Sequence, residues 1–211
     1  MQILEQISEY LQQGDEKKVF ELTEQAIRME ISPGEILDNG LISGMNVVGE
    51  KFREHEIYLP EVLMAAKAMY AGMNQLKPLL IKAGIRSQGK IVLGTVQGDL
   101  HDIGKNLVSI MLQGAGFEVV DLGKGVSPEQ FVEAATTQDA RIIGMSALLT
   151  TTMPMMKNVV DLLKEKNLSG KIKTIIGGAP ISAEYARHIG ADAYAYDAAS
   201  AVVKVKELSR T

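Results

Sequence analysis

Near residue 85 the apolar residues of this 211-residue chain change their spacing, which calls for two differently built parts. Before that point they recur every three or four residues with no β-branched alternation, the period of amphipathic helices. Leu4, Ile7 and Leu11 form a first stripe; Gly14 with Asp15 stops it, and a second runs through Val19, Leu22, Ala26 and Met29. Ser32-Pro33-Gly34-Glu35 has the make-up of a helix start, with a capping hydroxyl, a first-turn proline and an acid in the capping-box place. The third stripe carries Leu37, Leu41, Met45, Val48 and Phe52. After a polar break from His55 to Tyr58, Leu59-Pro60-Glu61 opens a fourth with Val62, Ala66, Met69, Met73 and Leu76. Residues 1–84 are therefore expected to form a small all-α four-helix bundle.

Ala83 to Gly89 is polar, carries two glycines and reads as a linker. Beyond it, short β-rich runs alternate with amphipathic stretches. Lys90–Gln97, Phe117–Leu122, Arg141–Ser146, Lys171–Gly177 and Asp192–Tyr196 are the expected strands. That rhythm predicts βαβ units, so residues 89–211 are expected to be a doubly wound, flavodoxin-like (Rossmann-like) α/β domain with a five-stranded parallel sheet. Ligands of such domains sit beyond the carboxyl ends of the strands, which directs attention to the loops after strands one, three and four.

Composition removes several classes of function. There is no cysteine, so thiolate metal sites, iron–sulfur clusters, a cysteine nucleophile and a disulfide scaffold are excluded. Twenty-two basic against twenty-six acidic residues, with four Phe, six Tyr and no Trp, do not make a basic, aromatic nucleic-acid surface. No apolar run approaches a membrane span, and the first eighteen residues lack the basic and apolar regions of a signal peptide. A soluble, cytoplasmic protein that binds neither nucleic acid nor membrane is expected.

The loop after strand one, Gly98-Asp99-Leu100-His101-Asp102-Ile103-Gly104, is neither a dinucleotide nor a Walker fingerprint, because its glycines are wrongly spaced. It places an acid two residues before a histidine. In extended chain the two side chains point the same way, so the Asp99 carboxylate can hold one nitrogen of His101 and aim the other outward as ligand or base. A loop histidine bonded locally, with the acids capping the next helix, accounts for the same residues. After strand three, Ser146-Ala147-Leu148-Leu149 leads into Thr150, Thr151 and Thr152, whose hydroxyls suit a ligand, the Asp99–His101 pair or the cap of the following helix. After strand four, Gly177-Gly178 permits close approach of a ligand or makes a tight turn. Phe52 and Leu59 flank the break in the bundle and are either projecting or core residues. Met64, Met69 and Met73 read as one core-facing side of a helix, and His55 and His188 as solvated.

On Asp99-x-His101-x-x-Gly104, Ser146-x-Leu148 and Gly177-Gly178, the sequence resembles the cobalamin-binding module of methionine synthase. It resembles still more the stand-alone corrinoid proteins of methyltransferase systems. MNVVGEKF (45–52) and YLPEV (58–62) are similar to that family's helical cap, so the resemblance spans nearly the whole chain. It implies a cofactor, cobalamin or a related cobamide, bound base-off with His101 as the axial cobalt ligand and present as methylcobamide when loaded. Asp99 and Thr152 would complete a relay, Thr152 standing where methionine synthase has a serine. The cofactor would lie against Asp102, Ile103, Gly104, Ser146, Leu148, Thr150, Gly177 and Gly178, with Phe52 and Leu59 covering the methyl under a mobile cap.

The function the resemblance implies is a methyl carrier with little turnover alone. It would accept a methyl group from a substrate-specific methyltransferase and pass it to a second methyltransferase acting on tetrahydrofolate or coenzyme M, with a reductive activation protein as a further partner. The alternatives are the cobalamin-binding subunit of an adenosylcobalamin-dependent isomerase, a cobalamin-sensing regulatory module, and a zinc hydrolase built on Asp99, His101 and Asp102. Methanol, methylamines, glycine betaine and methoxyaromatics all remain open as methyl donors.

Overall fold

The computed structural model describes residues 2–84 and 87–210. Two compact units emerge: Met1–Ser87 with Gly114–Gly116, and Gln88–Gln113 with Phe117–Thr211. Of the expected linker Ala83 to Gly89, residues 85 and 86 lie outside the described residues.

The first unit contains α1 (Gln2–Gln12), α2 (Glu16–Arg28), α3 (Pro33–Glu35), a π-helical segment (Ile36–Ile42), α4 (Ser43–Arg53) and α5 (Leu59–Lys82). From α3 to α4 the helical chain is unbroken. Gly14 turns the chain after α1 at φ +71°, and a Cβ there would lie 2.6 Å from Cβ of Met64. Asp15 then caps α2 by accepting from the Lys18 N–H at 2.9 Å. Ser32 caps α3 by accepting from the Glu35 N–H at 3.2 Å, and Glu61 anchors the start of α5 by accepting from the Tyr58 N–H at 3.1 Å. α1 packs on α2, α4 and the π segment, while α2 lies along α5. Ile7, Leu11, Val19, Ile36, Leu41 and Leu76 fill the centre.

Two expectations of the periodicity shift. In the π segment Ile36, Gly40, Leu41 and Ile42 are buried while Leu37 is only half-buried, so Ile36 takes the core position. Met64 is half-exposed, whereas Met69 is buried and Met73 half-buried. The buried face of α5 runs through Ala65, Met69, Gly72 and Leu76, one residue away from Met64.

The second unit holds a parallel sheet in the order β2-β1-β3-β4-β5, with β1 Lys90–Thr95, β2 Glu118–Asp121, β3 Ile142–Ser146, β4 Lys173–Gly177 and β5 Ala193–Ala195. Its helices are α6 (Ile103–Gly114), α7 (Pro128–Thr137), α8 (Pro154–Glu165), α9 (Ala183–Ile189) and α10 (Ala198–Leu208). Val92, Phe131, Ile143, Met156 and Ile176 are buried on the sheet. The strand order reverses between β1 and β3, which opens a crevice at the carboxyl edge. Strand register sets Thr95, Ser146 and Gly177 side by side there, so the loops after β1, β3 and β4 share one edge. No helix among the described residues is long and apolar enough to cross a membrane.

Candidate functional site

Past β1, Val96 donates its N–H to the Ser146 carbonyl at 3.0 Å, and Gly98 turns the chain at φ +84°. The turn carries Asp99 inward, to complete burial. Its Oδ1 accepts from the backbone N–H of His101 at 3.1 Å and meets the ring Nδ1 at 2.7 Å. Its Oδ2 accepts from the N–H groups of Leu148 and Leu149 at 2.8 and 3.1 Å and from the Thr152 hydroxyl at 2.8 Å. Burial pushes the Asp99 carboxyl up, but these donors outweigh it and hold the group well below the usual carboxylate range.

The chemical consequence falls on His101. An ionised carboxylate only accepts, so the imidazole proton sits on Nδ1 and the lone pair of the neutral ring on Nε2. The His101 side chain is 51% exposed, and Nε2 lies across the ring from the buried anchor. The loop is held from behind as well: the buried Thr95 hydroxyl donates to the His101 carbonyl at 2.9 Å.

Thr152 is buried, and its single hydroxyl proton is in reach of both Asp99 Oδ2 and the Leu149 carbonyl at 2.9 Å. The carboxylate is the stronger acceptor. Helix capping, the other reading of this hydroxyl, is not its role: Met153 precedes α8 and no side chain caps that helix. The methyl that distinguishes threonine from serine points at Gly98, where a Cβ would stand 3.4 Å from it.

The remaining sequence candidates separate into groups. Ser146, Gly177 and Gly178 are half-buried at the strand ends. Gly178 has φ +132°, and a Cβ there would fall 1.9 Å from the Ala147 carbonyl oxygen, so only glycine fits. Gly104 is open, with nothing within 4 Å of an added Cβ. Ile103, Leu148 and Thr150 are exposed, as are Leu100 and Leu149 on the same loops. Asp102 stands apart from the relay and pairs with Lys124 at 3.4 Å. In the helical unit, Phe52 near the end of α4 and Leu59 at the start of α5 are both half-buried. Between them Arg53 to Glu56 and Tyr58 are exposed and Ile57 is half-buried, and His55 adopts φ +60°. His188 is exposed too.

Sequence reasoning missed Thr95, Lys105 and Asp121. The Lys105 ammonium is buried and bonded to both Asp121 oxygens. The signal was present in the helical period, since Lys105, Ser109 and Leu112 fall at i, i+4 and i+7 on the buried side of α6.

The donor set identifies the kind of group this site fits. Among the described residues no three His, Cys, Asp or Glu side chains converge to hold a metal ion. A zinc hydrolase centre on Asp99, His101 and Asp102 is therefore not formed. A single oriented imidazole beside exposed Leu100, Ile103, Leu148 and Leu149 could instead supply one nitrogen donor to a metal whose other ligands come from outside the chain.

Known proteins supply an independent comparison. Two family models, each described as a B12 binding domain, match residues 89–205 and residues 3–77. Dimethylamine corrinoid protein 1 of Methanosarcina acetivorans is 51% identical over 180 residues, covering 85% of this chain and 84% of that protein. The dimethylamine corrinoid protein of Methanosarcina barkeri is 46% identical over 208 residues, covering 98% and 97%. Among solved structures, a chain of the methanol:cobalamin methyltransferase complex MtaBC from Methanosarcina barkeri superposes with a TM-score of 0.88 at 31% identity. That match covers 99% of this chain and 80% of the other.

Proposed function

The chain belongs to the B12-binding corrinoid proteins of methyltransferase systems, and from that premise we propose that it carries methyl groups on a base-off cobamide between two partner enzymes. The observation behind this reading is the His101 imidazole, half-exposed, with Nδ1 tied at 2.7 Å to a buried and ionised carboxylate. When bound, the cobalt of the corrinoid supplies the centre that takes up and releases the methyl group.

His101 would hold that cobalt axially through Nε2. Asp99 keeps the ring proton on Nδ1, which makes Nε2 the more basic nitrogen and fixes the ring plane. The Leu148 and Leu149 amides and the Thr152 hydroxyl keep Asp99 ionised, so the proton stays on the imidazole. Gly104, Ser146, Leu148, Thr150, Gly177 and Gly178 would line the path of the displaced nucleotide tail, with Asp102 and Ile103 at its edge. Phe52 and Leu59 would cover the methyl-bearing face, where apolar side chains exclude water.

The donor enzyme would be a substrate-specific methyltransferase. Dimethylamine, in the names of two relatives, makes methylated amines the donor class we assign. A second methyltransferase to tetrahydrofolate or coenzyme M and a reductive activation protein would complete the system.

Titration with hydroxocobalamin, followed by absorbance, tests the binding mode. We expect the spectrum of a cofactor whose own base has left the metal, and roughly tenfold weaker binding by His101→Ala. Equal binding by that variant would contradict the reading. For the donor, methyl uptake from dimethylamine is expected in the presence of a dimethylamine methyltransferase; uptake from methanol alone, through a methanol methyltransferase, would reassign it.

A further inference from the structure

Lys105 sits on the first turn of α6 with only 1% of its side chain exposed. A buried ammonium requires partners. Its Nζ donates to both oxygens of Asp121, at 2.7 and 2.5 Å, and to Asn106 Oδ1 at 2.7 Å. Asp121 is the last residue of β2, and its Oδ1 also accepts from the Gly123 N–H at 2.8 Å.

From Gly123 the chain runs alongside the segment that carries Asp99. The Gly123 carbonyl accepts from the Thr95 N–H at 2.9 Å, and the Gly125 N–H donates to the Asp99 carbonyl at 3.1 Å. Thr95 in turn holds the His101 carbonyl through its hydroxyl. The pairing of a buried ammonium with a partly exposed carboxylate thus ties α6 to the loop after β2, whose backbone bonds to Thr95 and Asp99. Burying the ammonium is costly, and an apolar side chain would fill the same space with less desolvation. What charge adds here is direction: two carboxylate oxygens and a guided loop amide admit one arrangement.

We propose that Lys105 and Asp121 are positioning residues, an ion pair anchored on a buried ammonium that fixes where the Asp99–His101 loop presents its imidazole to the corrinoid. The proposal rests on the corrinoid reading above. Neither residue is assigned contact with cobalt or with the methyl group.

The test uses the full chain with Lys105→Met, which removes the buried charge together with the pair, and, separately, Asp121→Asn, which keeps an amide oxygen for the Lys105 ammonium but takes away its counter-charge. Two readouts apply. Amide hydrogen exchange in the cofactor-free protein should quicken at His101, Leu148, Leu149 and Gly125 while the helical unit stays unchanged. Hydroxocobalamin affinity should fall roughly tenfold, the size expected of partners behind a metal-ligating histidine. A pair serving only overall stability would lower the unfolding midpoint and leave both readouts at wild-type values, which would overturn the proposal. The failure of the corrinoid reading looks different: the wild-type protein itself would not bind hydroxocobalamin, whatever the loop exchange in the variants.

Discussion

In the helical unit the buried polar side chains among the described residues are Ser8 and Thr23, and the Thr23 hydroxyl has no hydrogen-bond partner. In the α/β unit Thr95, Asp99, Lys105, Ser109, Thr152 and Thr174 are buried, and each is bonded. The first unit is a packed apolar bundle whose functional candidates, Phe52 and Leu59, are half-buried apolar groups beside an exposed turn. The second adds to its apolar core a set of bonded polar side chains, of which Thr95, Asp99 and Thr152 converge on the loop of one half-exposed imidazole. Buried networks with every member satisfied are rigid, whereas apolar side chains at a helix break have many near-equivalent arrangements. The contrast suits the two tasks proposed for these residues, holding a metal ligand in one orientation and covering a reactive face that must also be uncovered.

The contrast can be broken most severely at Asp99. Asp99→Ala takes the acceptor from the His101, Leu148 and Leu149 amides and leaves the Thr152 hydroxyl only the Leu149 carbonyl, and should lower unfolding free energy in urea by about 3 kcal/mol. Asp99→Asn sharpens this through pH. The native carboxyl is lowered relative to the unfolded chain, so its stabilisation is complete above the ordinary aspartate value (~4) and is lost as pH falls below it. The stability gap between wild type and Asp99→Asn should therefore be flat above about pH 5 and narrow below about pH 4. A gap that widens in acid would refute the ionised assignment.

Next in size is Gly178→Ala, which drives a methyl group into the Ala147 carbonyl and should cost about 2–3 kcal/mol by overpacking. Weaker cobamide binding should accompany it, because Ala147 leads into the amides that bind Asp99. Phe52→Ala, in the other unit, should cost only about 1 kcal/mol, since the ring is half-buried. Cobamide affinity should hold while light-driven loss of the cofactor's methyl group quickens; an unchanged photolysis rate would return Phe52 to a packing role. The smallest effect is at Thr23, where valine removes the unpartnered hydroxyl and should raise stability by up to about 1 kcal/mol. A loss there would show that the helical unit also relies on a polar contact.

How much of this was open to a reader of the sequence depended on the distance over which each contact is made. Asp99 and His101 are two residues apart, so their pairing follows from the geometry of extended chain, and the loops after β1, β3 and β4 follow from strand-end logic in a parallel sheet. Thr152 meets Asp99 across 53 residues; its choice of partner over helix capping needed the β1–β3 register. Lys105 and Asp121 lie 16 residues apart, and their union depends on β2 running beside β1. In the helical unit the period located the rods, but a π segment moved the core from Leu37 to Ile36, a shift that a 3.6-residue template does not contain.

Most of the proposed function hangs on one proposed bond, between Nε2 of His101 and the cobalt of a base-off corrinoid. Electron paramagnetic resonance of the protein reconstituted with hydroxocobalamin and reduced to cobalt(II), with and without nitrogen-15 histidine, reads it directly. The account predicts a nitrogen splitting that changes with the label and disappears in His101→Ala. A splitting indifferent to the label would mean that the cofactor keeps its own base, and the site around Asp99 would have to be assigned to something else.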